Sequence, residues 1–324
     1  MPRLRAISLR STRKPPMSVL TRSLTIGTRG SALARRQTDW VRARLQTAWP
    51  DLECQTRLFT TSGDRILNKP LPEIGGKGLF TEELENALRN GEIDLAVHSL
   101  KDLPIDDAPG LTLGAIPVRE DARDVLISHN GWTLDTLTRG ARVGTSSLRR
   151  SAQLLALRPD LTLLPLRGNV DTRIRKVMNG EYEAIVLAAA GVLRLGLGEH
   201  ITEYLPFEVM LPAPGQGAMA VQCRADDASV LELLRPLDDP APRAAVTAER
   251  AFLKALGGGC SAPIAAYAQS AIHNPQSAIT MTGLVASPDG CRVIRASGVG
   301  ADPIALGAEL ARKALAQDAG EILK

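Results

Sequence analysis

Strand-like and helix-like segments alternate through the first two thirds of the chain, and this alternation restricts the fold more than any other feature. Residues 24–27 and 93–97 are short, largely apolar segments with the length of buried strands. Residues 31–49 and 147–157 instead repeat apolar side chains with the period of amphipathic helices. Alternating strands and helices favour a doubly wound α/β architecture with parallel sheets.

The alternation predicts two α/β domains. Domain 1 comprises residues 23–117 and 218–236, and domain 2 comprises residues 118–217. The chain is expected to return to domain 1 through residues 211–217, a stretch rich in proline and glycine that breaks the pattern and is typical of a hinge.

The two ends of the chain differ from this pattern. After residue 240, a helix is followed by three strand-like runs with short turns and a last helix, which predicts a small α+β domain 3 over residues 240–324. Residues 1–22 contain six basic and no acidic side chains, and they are expected to be a disordered or cleavable extension.

Composition argues against several classes of function. Removing the six basic charges of residues 1–22 from the net charge of +4 leaves −2, and only 3% of residues are aromatic, so nucleic-acid binding is not expected. The longest apolar run, residues 184–193, is too short to cross a bilayer. The four cysteines form no CxxC pair and the four histidines are dispersed, so we expect no metal site and a reducing, cytoplasmic location. A monomer is expected because no interface pattern stands out.

The segment 144–150 combines a helix start with two arginines. It follows a short apolar run, so Thr145 and Ser147 are expected beside the unpaired N–H groups of a helix N-terminus, where anions bind. Arg149 and Arg150 add forked donors that fit carboxylates or phosphates. The alternative is an ordinary capped helix with solvated arginines.

Similar chemistry recurs after other apolar strands. Ligands of open α/β sheets bind beyond the carboxyl ends of the strands, so two facing domains would enclose these residues in a cleft. A single arginine at such a place is commonly a surface residue, but several converging arginines repel one another unless an anion with several carboxylates compensates. The residues concerned are Arg29, Ser31, Ser99, Lys101, Arg167, Arg173 and Arg194.

Three further residues have distinctive chemistry. Asp102 is the acid of this cationic set and is able to move a proton or stabilise a developing cation, although the residues alone favour a structural pair with Lys101. Cys260 lies in a glycine-rich loop, as either a carbon nucleophile or a free loop cysteine. Lys77 lies in a glycine-rich segment that lacks the spacing of a nucleotide-binding loop.

Together these segments resemble the porphobilinogen deaminase (hydroxymethylbilane synthase) family. They occur in the family's order between residues 24 and 324, and the combination is highly specific although each segment is modest alone. Gly258 stands where the family usually has Glu. The matching segments are residues 28–31, 75–80, 97–102, 144–150, 166–170, 214–217 and 258–260.

The resemblance implies a transferase of three domains, the first two similar to type II periplasmic binding proteins. It also implies a dipyrromethane cofactor that is joined to Cys260 through a thioether. The family joins four porphobilinogen molecules head to tail and releases ammonia. Hydrolysis then frees hydroxymethylbilane for tetrapyrrole and heme biosynthesis.

The resemblance further implies roles for individual residues. Asp102 would be the catalytic acid that stabilises pyrrole cations, and the loop over residues 61–78, which contains Lys77, would be a lid. The residues implied to bind the cofactor, besides Cys260, are Ser99, Lys101, Thr145, Ser147, Arg149 and Arg150. The residues implied to bind the substrate are Arg29, Ser31, Arg167, Arg173 and Arg194.

Two other interpretations stay open at the level of the sequence. A non-catalytic small-anion binding protein of the two-lobed fold would need no covalent cofactor. A cysteine-dependent acyltransferase would need a nearby base that the sequence does not reveal. A plastid location would follow only if residues 1–22 were a transit peptide.

Overall fold

The computed structural model describes residues 23–65, 81–106, 108–257, 262–270 and 278–323, without the side chains of residues 64 and 65. Residues 1–22 and 66–80 are therefore outside the description, and the predictions that concern them stay predictions. Within the described part, no helix combines the length and the apolar character that a membrane span requires.

The first lobe is a five-stranded sheet with helices on its faces. It is completed by a strand that comes about a hundred residues after the others, β10 (Met219–Arg224), and the strand order is β2-β1-β3-β10-β4. The other elements are β1 (Ser23–Arg29), α1 (Ala32–Ala48), β2 (Glu53–Phe59), α2 (Ser62–Arg65), α3 (Glu82–Arg89), β3 (Leu95–Ser99), a 3-10 turn (Leu100–Asp102) and β4 (Leu111–Ala115).

The second lobe repeats this plan with a contiguous stretch of chain. Its strand order is β7-β6-β8-β5-β9. Its elements are β5 (Asp124–Ile127), β6 (Arg142–Gly144), α4 (Leu148–Leu157), β7 (Thr162–Leu164), α5 (Val170–Met178), β8 (Ala184–Ala188), α6 (Ala189–Arg194), a 3-10 turn (Gly198–His200) and β9 (Glu203–Leu205).

One strand in each sheet runs against the other four. β10 is antiparallel to β3 and β4, and β5 is antiparallel to β8 and β9. Both are the first strands after the chain passes from one lobe to the other. The predicted α/β class is confirmed, and the two sheets share one strand order. The expectation of wholly parallel sheets was wrong for these two strands.

Each lobe has its own core of aliphatic side chains, as expected for a chain with few aromatic residues. In the first lobe, Leu24, Ile26 and Val97 of the sheet pack against Val41 and Leu45 of α1, and all five are buried. Burial of an aliphatic side chain of this size contributes about 1.5–3 kcal/mol.

The C-terminal unit is a small α+β structure, as predicted. Three helices pack on an antiparallel sheet of order β11-β12-β13. After β10 the chain forms α7 (Ala228–Leu234) and a 3-10 turn (Arg235–Leu237), and the unit then comprises α8 (Pro240–Ala255), β11 (Ile264–Ser270), β12 (Ile279–Ala286), β13 (Val293–Gly300), α9 (Pro303–Leu315) and α10 (Ala319–Ile322).

Two connections join the lobes, residues 116–123 and 206–218, and they lie side by side. The N–H of Glu120 donates to the carbonyl of Gly217 over 3.2 Å. Gly217 has φ +85°, and a Cβ there would collide with the carbonyl oxygen of Glu120. Only glycine therefore allows the two connections to approach so closely.

The C-terminal unit is anchored to both connections by one buried carboxylate. Glu249 of α8 is fully buried and accepts both arms of the Arg119 guanidinium at 2.7 and 3.0 Å. It also accepts the backbone N–H of Gly215 at 2.6 Å and that of Ala268 at 2.9 Å. The position of this unit is thus tied to the place where the lobes meet.

The C-terminal unit also contacts each lobe directly. Arg250 of α8 donates to the carbonyls of Pro104 and Ile105, at 2.6 and 3.2 Å, just after the 3-10 turn of the first lobe. The turn at Gly290 packs against the backbone of α4 at Ala156 in the second lobe. α8 therefore approaches the turn that contains Asp102.

Candidate active site

The first lobe contributes one wall of a cleft. Arg29 ends β1, Ser31 caps α1, Ser99 ends β3, and Asp102 lies in the 3-10 turn that follows β3. These four predicted residues line the same cleft, together with Gln37, whose side-chain amide donates to Ser99 Oγ over 3.0 Å. Asp102 is exposed. The sheet edge therefore brings a guanidinium, two hydroxyls and an accessible carboxylate together, as predicted for these four.

In the second lobe, the predicted hydroxyls shape the start of α4. Ser147 Oγ accepts the N–H of Arg150 at 3.5 Å and so caps the helix. Thr145 Oγ1 accepts the N–H of Ser147 at 3.2 Å and is buried. The hydroxyls satisfy helix N–H groups that would otherwise be unpaired, and this fixes the direction in which the two following arginines leave the backbone.

Arg149 and Arg150 are held by a buried acid, Asp124, that sequence reasoning missed. Arg149 Nη1 lies 2.6 Å from Asp124 Oδ2, and Arg150 Nη2 lies 2.7 Å from Asp124 Oδ1. Burial alone would raise the pKa of Asp124, but the two guanidiniums hold it well below its usual range. Asp102 is therefore not the lone acid of the cationic set. The available signal was an acid at the start of an apolar strand directly after a connection.

Gln216 extends this network to the first lobe, and it too was missed. Its Nε2 donates to Asp124 Oδ1 at 2.9 Å, and its Oε1 accepts from Lys101 Nζ at 3.1 Å. Burial lowers the pKa of Lys101 to about 8, although the neighbouring charge of Asp102 opposes the shift. Lys101 thus lies at the junction of the lobes, and its ammonium loses its proton as the pH rises through about 8.

Arg173 places further positive charge in the same region. Its Nε donates to the carbonyl of Gly168 over 2.7 Å. Burial, together with the charges of Arg150 and Arg167, lowers the pKa of Arg173 to about 10, and the charge of Asp102 opposes this shift. The second lobe's arginines therefore share an electrostatic field with the acid of the first lobe.

Arg194 has a different position from the other predicted arginines. Its Nη2 donates to the carbonyl of Gly217 at 2.7 Å, so it lies against a connection between the lobes. Burial lowers its pKa, and Glu120 opposes this shift. In this conformation Arg194 supports the junction of the lobes.

Two predicted residues, Lys77 and Cys260, lie outside the described residues, and their roles stay predictions. His98, on β3, is buried beside the cleft. Burial lowers its pKa to about 4, so it is neutral at physiological pH.

The charges indicate the kind of ligand that the cleft accepts. Five cationic side chains face two carboxylates, those of Asp102 and Asp124, and Arg149 Nε is a buried donor with no partner among the described residues. Arg149 and Arg150 are buried and the other cations are half-buried, and this excess of positive charge fits a ligand with several carboxylates. The five cations are Lys101, Arg149, Arg150, Arg167 and Arg173.

Comparison with known proteins gives a consistent result over nearly the whole chain. A family model described as "Porphobilinogen deaminase, dipyromethane cofactor binding domain" matches residues 24–232, and one described as "Porphobilinogen deaminase, C-terminal domain" matches residues 243–316. The porphobilinogen deaminase of Roseiflexus castenholzii is 55% identical over 300 residues, which is 92% of this chain and 97% of that protein. Those of Moorella thermoacetica and Brevibacillus brevis are 53% and 51% identical, over 92% of this chain and 95% and 96% of theirs.

Proposed function

Because the chain belongs to the porphobilinogen deaminase family, we propose that the cleft between its two lobes is where porphobilinogen units are joined. The activity is that of a transferase, hydroxymethylbilane synthase. Four porphobilinogen molecules are joined head to tail on a covalent dipyrromethane primer, with release of ammonia. Hydrolysis then frees hydroxymethylbilane for tetrapyrrole biosynthesis. The family assignment favours this activity over non-catalytic anion binding.

The cofactor of the family, dipyrromethane, fits the charge of the cleft. It derives from two porphobilinogen units, each with an acetate and a propionate, and the cluster of five cations with the unpartnered Arg149 Nε accommodates several carboxylates. We propose that Ser99, Lys101, Thr145, Ser147, Arg149 and Arg150 bind the cofactor and that Cys260 holds it through a thioether. When bound, the group supplies a pyrrole carbon that attacks the incoming substrate.

Asp102 is proposed as the catalytic carboxylate. It is the single acid among the described residues that line its part of the cleft, and it is exposed to an incoming ligand. A carboxylate there accepts pyrrole N–H groups, stabilises the positive charge that develops as ammonia leaves, and receives a proton. A charge-assisted hydrogen bond is worth about 1.5–3 kcal/mol, so Asp102→Asn is expected to slow turnover by about 10- to 100-fold or more.

The remaining arginines are proposed to bind the carboxylates of the substrate. Arg29 and Ser31 line the cleft beside Asp102, and Arg173 faces the same acid from the second lobe. Arg167 shares the field of Arg173. For Arg194, a substrate role requires that its bond to the Gly217 carbonyl be exchanged for a substrate carboxylate.

We further propose that the lobes move as pyrrole units accumulate. The pairing of the two connections at a single glycine supports a pivot there. The proposal keeps the domain boundaries predicted above, 23–117 with 218–236, 118–217 and 240–324, and the lid role of the loop that contains Lys77. Hydrogen exchange should show altered protection of the connections and of the loop when substrate is loaded, and unchanged protection would contradict the movement.

The decisive experiment is mass spectrometry of the intact chain together with ammonia release. The purified protein should have an adduct of the mass of a dipyrromethane, and Cys260→Ser should lack it. Addition of porphobilinogen should release ammonia from the parent protein, and Asp102→Asn should keep the adduct but release ammonia slowly. A parent chain without adduct that binds porphobilinogen unchanged would instead indicate an anion-binding protein.

We propose a cytoplasmic monomer that binds porphobilinogen and neither nucleic acid nor membranes. The composition of the chain supports this proposal, and the relatives named above are bacterial, which lends no support to a plastid location. Sedimentation velocity at micromolar concentration should give a mass near 34.6 kDa.

A further inference from the structure

Gln216 is a buried amide at the junction of the lobes, and every polar group of its side chain is used. It lies between Gly215 and Gly217 and is fully buried. Its Oε1 accepts from Lys101 Nζ at 3.1 Å, and its Nε2 donates to Asp124 Oδ1 and to the Ala122 carbonyl, each at 2.9 Å. An acceptor thus faces an ammonium and a donor faces a carboxylate, which is the one orientation of the amide that suits both partners.

We propose that Gln216 is a positioning residue for the reaction: its amide joins Lys101 of the first lobe to Asp124 of the second and so holds the cations of both lobes in one array. Asp124 in turn holds Arg149 and Arg150. The inference rests on the proposed function, because the array serves to bind the carboxylates of cofactor and substrate.

The charges around Lys101 show why such a link is needed. Asp102 faces it from its own turn, Asp124 faces it from β5, and Arg149 and Arg150 face it from α4. The two guanidiniums repel the ammonium, and burial disfavours its charge further. The Gln216 carbonyl is an acceptor that stabilises the charged form, and the Nε2 bond couples it to the negative charge of Asp124.

The location of Gln216 also decides what happens when the lobes move. It precedes Gly217, whose carbonyl is paired with Glu120 on the other connection. Displacement is smallest near a pivot, so a link at this place persists while the outer cleft changes width. The array is then expected to stay assembled through the successive additions.

Two variants of the full-length holoenzyme test the proposal with opposite signs. Gln216→Met keeps the volume but removes the acceptor, so the pKa of Lys101 is expected to fall by about one unit. Gln216→Glu puts a carboxylate beside the ammonium, so the pKa of Lys101 is expected to rise by about one unit or more. The same carboxylate also faces Asp124 Oδ1 and the Ala122 carbonyl, so this variant is expected to have a lower melting temperature. The pKa is measured as the midpoint of Lys101 acetylation by limiting acetic anhydride across a pH series, read by peptide mass spectrometry.

Gln153→Leu is the matched control. Gln153 is a second buried glutamine, but its Nε2 donates to the carbonyls of Arg149 and Leu211, and its Oε1 accepts the Leu211 N–H. Its loss should lower the melting temperature and leave the Lys101 midpoint unchanged. If Gln216 had only a structural role, its variants would likewise have a lower melting temperature and an unchanged Lys101 midpoint.

The pH profile of kcat/KM gives a second readout. If the charge of Lys101 supports binding, the alkaline limb of this profile should shift to lower pH in Gln216→Met and to higher pH in Gln216→Glu. The midpoint of Lys101 acetylation should shift in the same direction in each variant. Variants that still form product but leave the Lys101 acetylation midpoint unchanged would overturn the positioning role. Midpoints that shift in the same direction in both variants would also overturn it, and neither result would affect the proposed function. If one variant does not fold, the direction of the Lys101 pKa shift in the other variant still tests the proposal. A parent enzyme that releases no ammonia would refute the proposed function and leave the labelling result standing.

Discussion

The buried pair of Arg119 and Glu249 gives the sharpest stability prediction, through the substitution Glu249→Gln. Each carboxylate oxygen accepts one arm of the guanidinium and one backbone N–H, from Ala268 at Oε1 and from Gly215 at Oε2. A glutamine in either orientation replaces one of these oxygens by an NH₂ group that faces two donors. The substitution therefore leaves two donors unsatisfied and a nearly buried cation unpaired.

The expected cost follows from this geometry. Removal of one partner of a buried ion pair typically costs about 3–5 kcal/mol. With an unfolding entropy of about 2 cal/mol/K per residue, a chain of this length should lose about 4–7 °C in melting temperature. The double variant Arg119→Met with Glu249→Gln should cost less than the sum of the single variants, because it removes the orphaned cation.

Scanning calorimetry of the purified variants measures the effect, and the chain contains a matched control. Arg142 and Glu183 form a forked pair of similar geometry at 2.6 Å, but Arg142 is 45% exposed, whereas Arg119 is 10% exposed. Glu183→Gln should cost less than about 1 kcal/mol because water replaces the lost partner. Equal losses in Glu249→Gln and Glu183→Gln would refute the argument from burial.

Two further predictions concern the junction and the cleft. Gly217→Ala should destabilise the protein by at least about 2 kcal/mol, because its Cβ meets the Glu120 carbonyl at positive φ. Gly196 also has a positive φ of +72°, but the space around its Cβ position is open, so Gly196→Ala should lower the free energy of unfolding by only about 1 kcal/mol. Equal urea midpoints for the two variants would contradict this. Burial lowers the pKa of His98 from 6.5 to about 4, so the unfolded chain binds a proton between these values that the folded chain does not. Stability should therefore fall by roughly 3 kcal/mol as the pH drops from 7 to 4, and His98→Gln should lack this part of the acid slope in urea melts; an unchanged slope would count against a neutral buried His98.

Local patterns in the sequence predict the elements and one wall of the cleft. The largely apolar segment 93–97 locates β3 to within two residues, and the apolar run that begins at residue 184 locates the start of β8, because a buried strand must be largely apolar. Arg29, Ser99 and Asp102 could be brought together in advance, since each follows a strand of one sheet and the carboxyl ends of parallel strands share an edge.

The roles of Asp124 and Gln216 could not be predicted in this way. Their contacts depend on the antiparallel entry of β5 into its sheet and on the path of the second connection, and no local period encodes either. Arg149 illustrates the limit. Its type and position on a helix start predicted an anion partner, but nothing local distinguished a ligand's carboxylate from one supplied by the protein's own chain.

The insertion of β10 between β3 and β4 has a consequence for how the molecule assembles during synthesis. The second lobe is encoded without interruption from β5 to β9, so it has all its strands once residue 205 has left the ribosome. The first lobe, although it begins earlier, lacks the strand that joins β4 to the rest of its sheet until residue 224 emerges. The lobe translated second is therefore the first that can fold to completion, and the earlier one waits for it.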